Sequence, residues 1–70
     1  MISISQHLYE LRKSNGLSLS EAARIANVNR CNIYRYEKNL SRIPVESLAK
    51  LAAAYGVTIS SIVDEDDDNV

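Results

Sequence analysis

Four polar side chains between positions 29 and 35 have the types and spacing that suit the edges of DNA bases. Asn29, Arg30, Asn32 and Arg35 remain on the outer face of a helix over residues 29–38 whose apolar positions point inward. Arg forms paired hydrogen bonds with guanine O6 and N7, and Asn does so with adenine N6 and N7. The alternative is that the two arginines only neutralise phosphates, since about half or more of protein–DNA hydrogen bonds go to phosphate and sugar.

The preceding segment, residues 18–28, has the pattern of a second helix and a tight corner. Ser18 followed by Glu21 is a capping box, in which each residue bonds the other's backbone amide. Asn27 stands where the chain must turn, and Asn tolerates a left-handed backbone. Val28 can fill the corner. Small residues let another helix approach closely, and the predicted inner face carries Ala22, Ala23, Ile25 and Ala26. Two helices joined by so short a turn are the parts of a DNA-binding helix-turn-helix.

The chain resembles the lambda-repressor/Cro-like (XRE) helix-turn-helix family of bacterial and phage transcriptional regulators over residues 8–63. The matching pieces lie at 8–12, 16–18, 21–23, 28–37 and 47–57. The resemblance implies an all-α fold, a compact five-helix lambda-repressor-like DNA-binding domain whose helix-turn-helix is formed by its second and third helices. It also implies an ion pair between Arg12 and Glu37, against the alternative of two solvated surface charges.

The family pattern further implies which residues contact DNA. Base contacts are expected from the first turn of the third helix and the position one turn later: Asn29, Arg30, Cys31, Asn32 and Arg35. Arg30 and Arg35 are the first candidates, followed by Asn32. Tyr34 is turned aside, where it can contact a phosphate or a thymine methyl. Phosphate contacts are expected from the start of the second helix and from the end of the third helix onward: Ser18, Ser20, Tyr34, Lys38, Ser41 and Arg42.

Three positions depart from the family pattern. Leu19 replaces a Gln that commonly bonds a phosphate and braces the third helix, so Ser20 is the available substitute for that brace. Asn27 replaces the usual turn glycine. Cys31 lies on the outer face of the third helix, where it can pack on a thymine methyl, act as an oxidation-sensitive thiol or remain inert.

The remaining helices follow from periodicity and helix-ending residues. The first is predicted over residues 5–14 and ends at Asn15 and Gly16. The fourth opens at Pro44 and ends at Gly56, and Thr58 caps a short fifth. Asn39 takes the place of a glycine after the third helix, and His7 is interpreted as an ordinary surface histidine. Apolar stripes are predicted at Ile4, Leu8 and Leu11, at Leu48, Leu51, Ala52 and Tyr55, and at Ile59, Ile62 and Val63.

Composition predicts one domain over residues 1–63 and an acidic disordered tail over residues 64–70. Residues 1–63 contain eight Lys and Arg against four Glu, a net charge of +4, and the tail adds five acidic residues. The single cysteine excludes an internal disulfide, and no Cys/His cluster predicts a metal or cofactor. No run approaches the ~20 apolar residues of a membrane span, so we expect a cytoplasmic protein. The tail is interpreted as a solubilising end, or alternatively as a competitor of DNA for the basic domain.

These patterns favour a sequence-specific transcriptional regulator, most simply a repressor, that binds double-stranded DNA as a homodimer. The predicted dimer interface combines residues 40–43 with the fifth helix. The alternative is an antitoxin or anti-repressor module that binds a protein partner through the same fold. Enzyme activity is not expected, because the sequence offers no nucleophile–base pair, no metal cluster and no Gly-rich phosphate loop.

Overall fold

The computed structural model describes residues 3–63, which form five α-helices and no β-strand. The helices are α1 (Ile4–Ser14), α2 (Leu19–Ala26), α3 (Arg30–Glu37), α4 (Val45–Tyr55) and α5 (Ile59–Val63). The all-α, five-helix prediction is therefore confirmed. No helix in this part of the chain has the length and apolar character needed to cross a membrane. The predicted acidic tail lies outside the described residues.

Helix starts are set by side chains that bond the first free amides. The Ser18 hydroxyl accepts from the Glu21 amide at 3.0 Å, and the Glu21 carboxylate accepts from the Ser18 amide at 2.8 Å. Both halves of the predicted capping box are thus present. Thr58 caps α5 as expected, with its hydroxyl accepting from the Ser61 amide at 3.1 Å. Pro44 precedes α4 as its N-cap and is not its first helical residue.

The two corners flanking α3 use asparagine in a left-handed backbone conformation. Asn27 has φ 59° and ψ 46°, and the next amide, that of Val28, donates to the Ala23 carbonyl at 3.2 Å. Val28 is buried in the corner as predicted. Asn39 has the same φ of 59° after α3. Asn is the residue that tolerates this conformation best after glycine, so both corners close without a glycine.

All five helices contribute to one hydrophobic core. The side chains with almost no solvent exposure are Leu8, Ala22, Ile33, Leu51 and Ile62, one from each helix. Further buried side chains surround them: Ala26, Val28, Tyr36, Leu48, Ala52 and Tyr55. This core confirms the predicted stripe on α4 and the inward pair on α3. Burial of apolar surface contributes roughly 25 cal/mol per Å², so this cluster is the main source of stability in so short a chain.

Two packing predictions were wrong. Ile25 is 49% exposed and not part of the inner face of α2. The buried stripe of α1 runs through Ser5, Leu8 and Arg12, whereas Leu11 is only half-buried. In both cases the helix is rotated about its axis relative to the prediction, because the facing helices decide which edge of an apolar stripe is covered.

The interpretation of His7 as an ordinary surface residue was also wrong. His7 is half-buried, and its Nδ1 lies 3.1 Å from the carbonyl oxygen of Ile62. A protonated Nδ1 donates a hydrogen bond at this distance, and the bond joins α1 to the last turn of α5. The short fifth helix is therefore held to the domain by a polar contact as well as by Ile62.

Candidate nucleic-acid interface

Two buried side chains and one ion pair hold α3 against the domain. Ile33 and Tyr36 are 1% and 5% exposed. Arg12 Nε donates to Glu37 Oε2 at 2.8 Å, and Arg12 Nη2 donates to Glu37 Oε1 at 3.0 Å. Arg12 Nη1 also donates to the Leu17 carbonyl at 2.9 Å. The fork-to-fork geometry fixes the end of α3 on α1, as the resemblance implied.

The ion pair is shielded from solvent. The side chains of Arg12 and Glu37 are 9% and 5% exposed. The hydrogen bonds to Glu37 raise the pKa of Arg12 above its usual value, so the guanidinium stays charged at every working pH. Tyr55 lies nearby with its hydroxyl buried, and burial followed by the Glu37 charge raises its pKa to about 12. That hydroxyl has no hydrogen-bond partner among residues 3–63.

The predicted base-contacting residues all lie on the solvent side of α3. We call Asn29, Arg30, Cys31, Asn32 and Arg35 the recognition face. Each of them is exposed. The pair formed by Arg12 and Glu37 is the only ion pair within the described residues, so neither arginine of the recognition face is neutralised by a carboxylate there. Cys31 is a free, exposed thiol.

Asn29 has a different position from its neighbours on the recognition face. It is the N-cap of α3, and its Oδ1 accepts from the Cys31 amide at 2.8 Å and from the Asn32 amide at 3.4 Å. Paired recognition of adenine needs both the oxygen and the nitrogen of the carboxamide. Because the oxygen already serves the helix, only the nitrogen of Asn29 is available to DNA without uncapping α3.

Arg30 is linked to α2 across the corner. Its Nη1 lies 3.3 Å from the hydroxyl oxygen of Ser20. Leu19, at the position expected to carry the brace, is half-buried against the core. The structure thus contains a polar bridge between the two helices of the corner, and Ser20 provides it.

The predicted phosphate-contacting residues are only partly brought together. Ser18 uses its amide and its hydroxyl in the capping box, so neither is free for a phosphate in this state. Tyr34 is 47% exposed, with Lys38 Nζ 5.7 Å from the centre of its ring. Ser41 is half-buried and Arg42 is exposed, both in the loop after α3.

An open groove of about 440 Å³ runs beside the end of α3, between α1 and the start of α2. Its lining joins Tyr34 and Lys38 to two residues that the sequence argument missed, Gln6 and Tyr9. Tyr9 is 44% exposed, and the Arg12 guanidinium carbon lies 5.4 Å from its ring centre. The signal was its position three residues before Arg12 on one helix. Phenol, amide and ammonium donors in one groove suit an anionic backbone.

These features do not form a metal centre. Within residues 3–63, no three His, Cys, Asp or Glu side chains are grouped closely enough to hold a metal ion. The arrangement is instead a helix fixed on one side and covered with uncommitted donors on the other. The class of protein defined by this fold and surface is a five-helix, lambda-repressor-like domain containing a helix-turn-helix.

The chain belongs to the helix-turn-helix (HTH_3) family, whose family model matches residues 8–62. It is 35% identical over 63 residues to the HTH-type transcriptional regulator SinR of Bacillus subtilis, covering 89% of this chain and 57% of that protein. The chain therefore spans little more than half the length of this relative. The predicted XRE-type membership is confirmed, and the relative is a transcriptional regulator, as expected for a non-enzymatic family.

Two solved structures share the fold. The first is a SinR/SinI protein complex, with a TM-score of 0.84 and 32% identity over 96% of this chain and 66% of that one. The second is SinR, a master regulator for biofilm formation, crystallised with DNA. It has a TM-score of 0.82 and 34% identity over 87% of this chain and 98% of that one.

Proposed function

We propose that this protein is a sequence-specific DNA-binding transcriptional regulator, acting as a repressor, that inserts α3 into the major groove. One observation supports the proposal above the others: α3 is fixed by buried anchors while the recognition face is exposed and free of carboxylate partners. Similarity to SinR, for which a DNA complex is known, agrees with this function. A regulator of this kind acts on the chromosome, so we expect it in the cytoplasm.

Arg30 and Arg35 are the proposed base readers, with Asn32 next. Each arginine can make a paired contact with guanine, and each good contact contributes roughly 1–3 kcal/mol of discrimination. We propose that Cys31 contacts the groove through its small apolar surface, such as by packing on a thymine methyl. Asn29 is reassigned mainly to capping α3, with its side-chain nitrogen as a single additional donor.

The DNA backbone is proposed to pass on both sides of α3. Lys38, Ser41 and Arg42 would contact phosphates beyond the end of the helix, and Tyr34 would donate its hydroxyl from the groove. On the other side, the first amides of α2 have no intrahelical acceptors and lie at the positive end of that helix. Ser20 lies in that first turn, whereas Ser18 shapes the turn through its capping box.

We further propose that the protein binds as a two-fold dimer, since one α3 reads too few base pairs for specificity. Two half-sites would then lie about 34–36 Å apart. The expected contribution of Ile62 to the interface was wrong, because that side chain is 1% exposed and belongs to the core. The exposed apolar residues near the same end are Leu40 and Val45, at 67% and 69%, and they are the better interface candidates.

Selection of bound duplexes from a random pool tests this function. We expect a palindromic consensus, and alanine at Arg30 or Arg35 should remove preference at particular base pairs. Arg24→Ala is the matched control, because it removes the same charge from the exposed part of α2. It should weaken binding evenly or leave it unchanged. Recovery of no consensus by the wild-type chain would refute the proposal.

A protein partner is the second candidate function. The similar SinR protein has been crystallised with SinI protein, and this chain exposes Leu40 and Val45 on its α3–α4 side. An antitoxin or anti-repressor role would make binding depend on these apolar residues and not on the recognition face. Replacing both with Ser should then abolish partner binding and leave the DNA consensus unchanged, which separates this role from dimerisation on the operator.

A further inference from the structure

We infer that Ser20 is a positioning residue that determines sequence specificity by orienting Arg30. The inference rests on the proposed function and deepens it. Ser20 lies in the first turn of α2, and Arg30 is the first residue of α3. The 3.3 Å bond between Ser20 Oγ and Arg30 Nη1 therefore crosses the corner and ties the guanidinium to a helix other than its own.

The bond fixes a direction without using up the arginine. A guanidinium carries five N–H donors, and Ser20 accepts from one of them. The remaining donors can form the fork that pairs with guanine O6 and N7. Both residues are exposed, and exposed contacts of this kind contribute little to folding. The consequence of the bond is therefore a restricted set of side-chain orientations at the point where a base would be read.

The position of Arg30 gives independent support. It lies at the positive end of α3, and the first turn of α3 has no acidic residue. A cation at this end of a helix is locally unfavourable. No carboxylate in the described residues compensates it, since the ion pair formed by Arg12 and Glu37 leaves Arg30 out. Such a local conflict marks a residue retained for an acceptor outside the chain.

No other side chain on the first turn of α2 can replace Ser20. Leu19 is apolar and packed against the core, and Glu21 is bonded to the Ser18 amide. Glu21 thus remains in its cap instead of drawing Arg30 into an ion pair. The geometry leaves a neutral hydroxyl as the only partner of the guanidinium, which orients the charge without neutralising it.

The test measures base discrimination, using the base pair at which Arg30→Ala abolishes preference in the selected duplex. Fixing one long side chain in advance is equivalent to about a 2- to 12-fold effect, so Ser20→Ala should lower discrimination there by that factor. Ser20→Thr keeps the hydroxyl and should retain discrimination. Adding Ser20→Ala to Arg30→Ala should change nothing further. The control Ser60→Ala removes an exposed hydroxyl from α5 and should be silent.

Two further measurements exclude a merely structural role or a phosphate contact. Alanine is a better helix former than serine, so Ser20→Ala should fold with an unchanged or higher Tm. The slope of log K against log salt should also be unchanged, since no phosphate contact is lost. An equal loss of affinity on every sequence, or a shallower slope, would overturn the inference in favour of a backbone contact.

The failure of the inference can be distinguished from failure of the proposed function. If wild-type protein selects a consensus and Arg30→Ala loses it, but Ser20→Ala discriminates like wild type, only the role of Ser20 is overturned. If wild-type protein selects no sequence, the proposed function fails and the inference fails with it. A lowered discrimination in the Ser20→Ala variant that Thr restores would support both.

Discussion

Replacing Glu37 with alanine should destabilise the domain by about 3–5 kcal/mol, because it leaves the Arg12 guanidinium buried and unpaired. The structure supports this magnitude. The substitution removes two charge-assisted hydrogen bonds, at 2.8 and 3.0 Å, and such bonds contribute roughly 1.5–3 kcal/mol each. Domains of this size have total stabilities near the low end of ~5–15 kcal/mol, so the variant should be largely unfolded at 37 °C.

Three other variants make the test specific. Glu37→Gln keeps the shape and one acceptor, so it should fold and lose about half as much stability. Glu10→Ala is the matched control, because Glu10 is an exposed glutamate on α1; its loss should change stability by less than about 0.5 kcal/mol. The double variant Arg12→Met/Glu37→Leu removes both charges and should be as stable as wild type or more so.

The assay is urea unfolding followed by circular dichroism, repeated at low and high salt. The side chains of the pair are 9% and 5% exposed, so 1 M salt should barely change the cost of Glu37→Ala. A cost below about 1 kcal/mol, or one that salt removes, would show that the pair behaves as a solvated surface pair. The conclusion that it anchors α3 would then be wrong.

Three more predictions concern single residues. Tyr55→Phe should leave stability unchanged or raise it by up to about 1 kcal/mol, since the buried hydroxyl has no partner in the described chain. Because the folded pKa of Tyr55 is raised to about 12, its contribution is complete below pH 10 and is lost as pH rises toward 12; Tyr55→Phe should remove that loss in alkaline unfolding. The Ser18 amide lowers the pKa of Glu21 below 4.5, so the cap stabilises above that pH and is lost as pH falls through the lowered value; carbon-detected NMR titration measures it, and a midpoint at or above 4.5 would contradict the capping role. Asn27→Ala should cost about 1 kcal/mol in thermal unfolding because of its φ of 59°, whereas Asn27→Gly should stay near wild type, and equal Tm values would disprove backbone strain as the reason for Asn.

Features that depend on neighbours along the chain were predictable from the sequence. The capping box at Ser18, the left-handed corner at Asn27 and the inward pair at Ile33 and Tyr36 each follow from residues no more than four positions apart. Local hydrogen bonding and helical period decide such features. The partnership between Arg12 and Glu37 spans 25 residues, and it was expected only from the family resemblance.

Features that depend on packing were not predictable. The contact of His7 with the Ile62 carbonyl joins residues 55 positions apart, and nothing in either residue indicates the other. Ile25 is exposed because an eight-residue helix has a broad apolar edge, and the facing helices choose which part is covered. Asn29 was expected to read bases, but a shift of one residue in the start of α3 makes it a cap.

The anchors of α3 are distributed unevenly, and this distribution has a functional consequence. Its buried residues and its ion pair all lie between positions 33 and 37, whereas its first turn contributes no buried side chain. The start of the helix is held only by the Asn29 cap and by the bond from Ser20 to Arg30. Substitutions at Arg30, Cys31 and Asn32 should therefore change stability by less than about 0.5 kcal/mol each. Base preference can then be altered at these three positions without altering the fold, because folding depends on the other end of the helix.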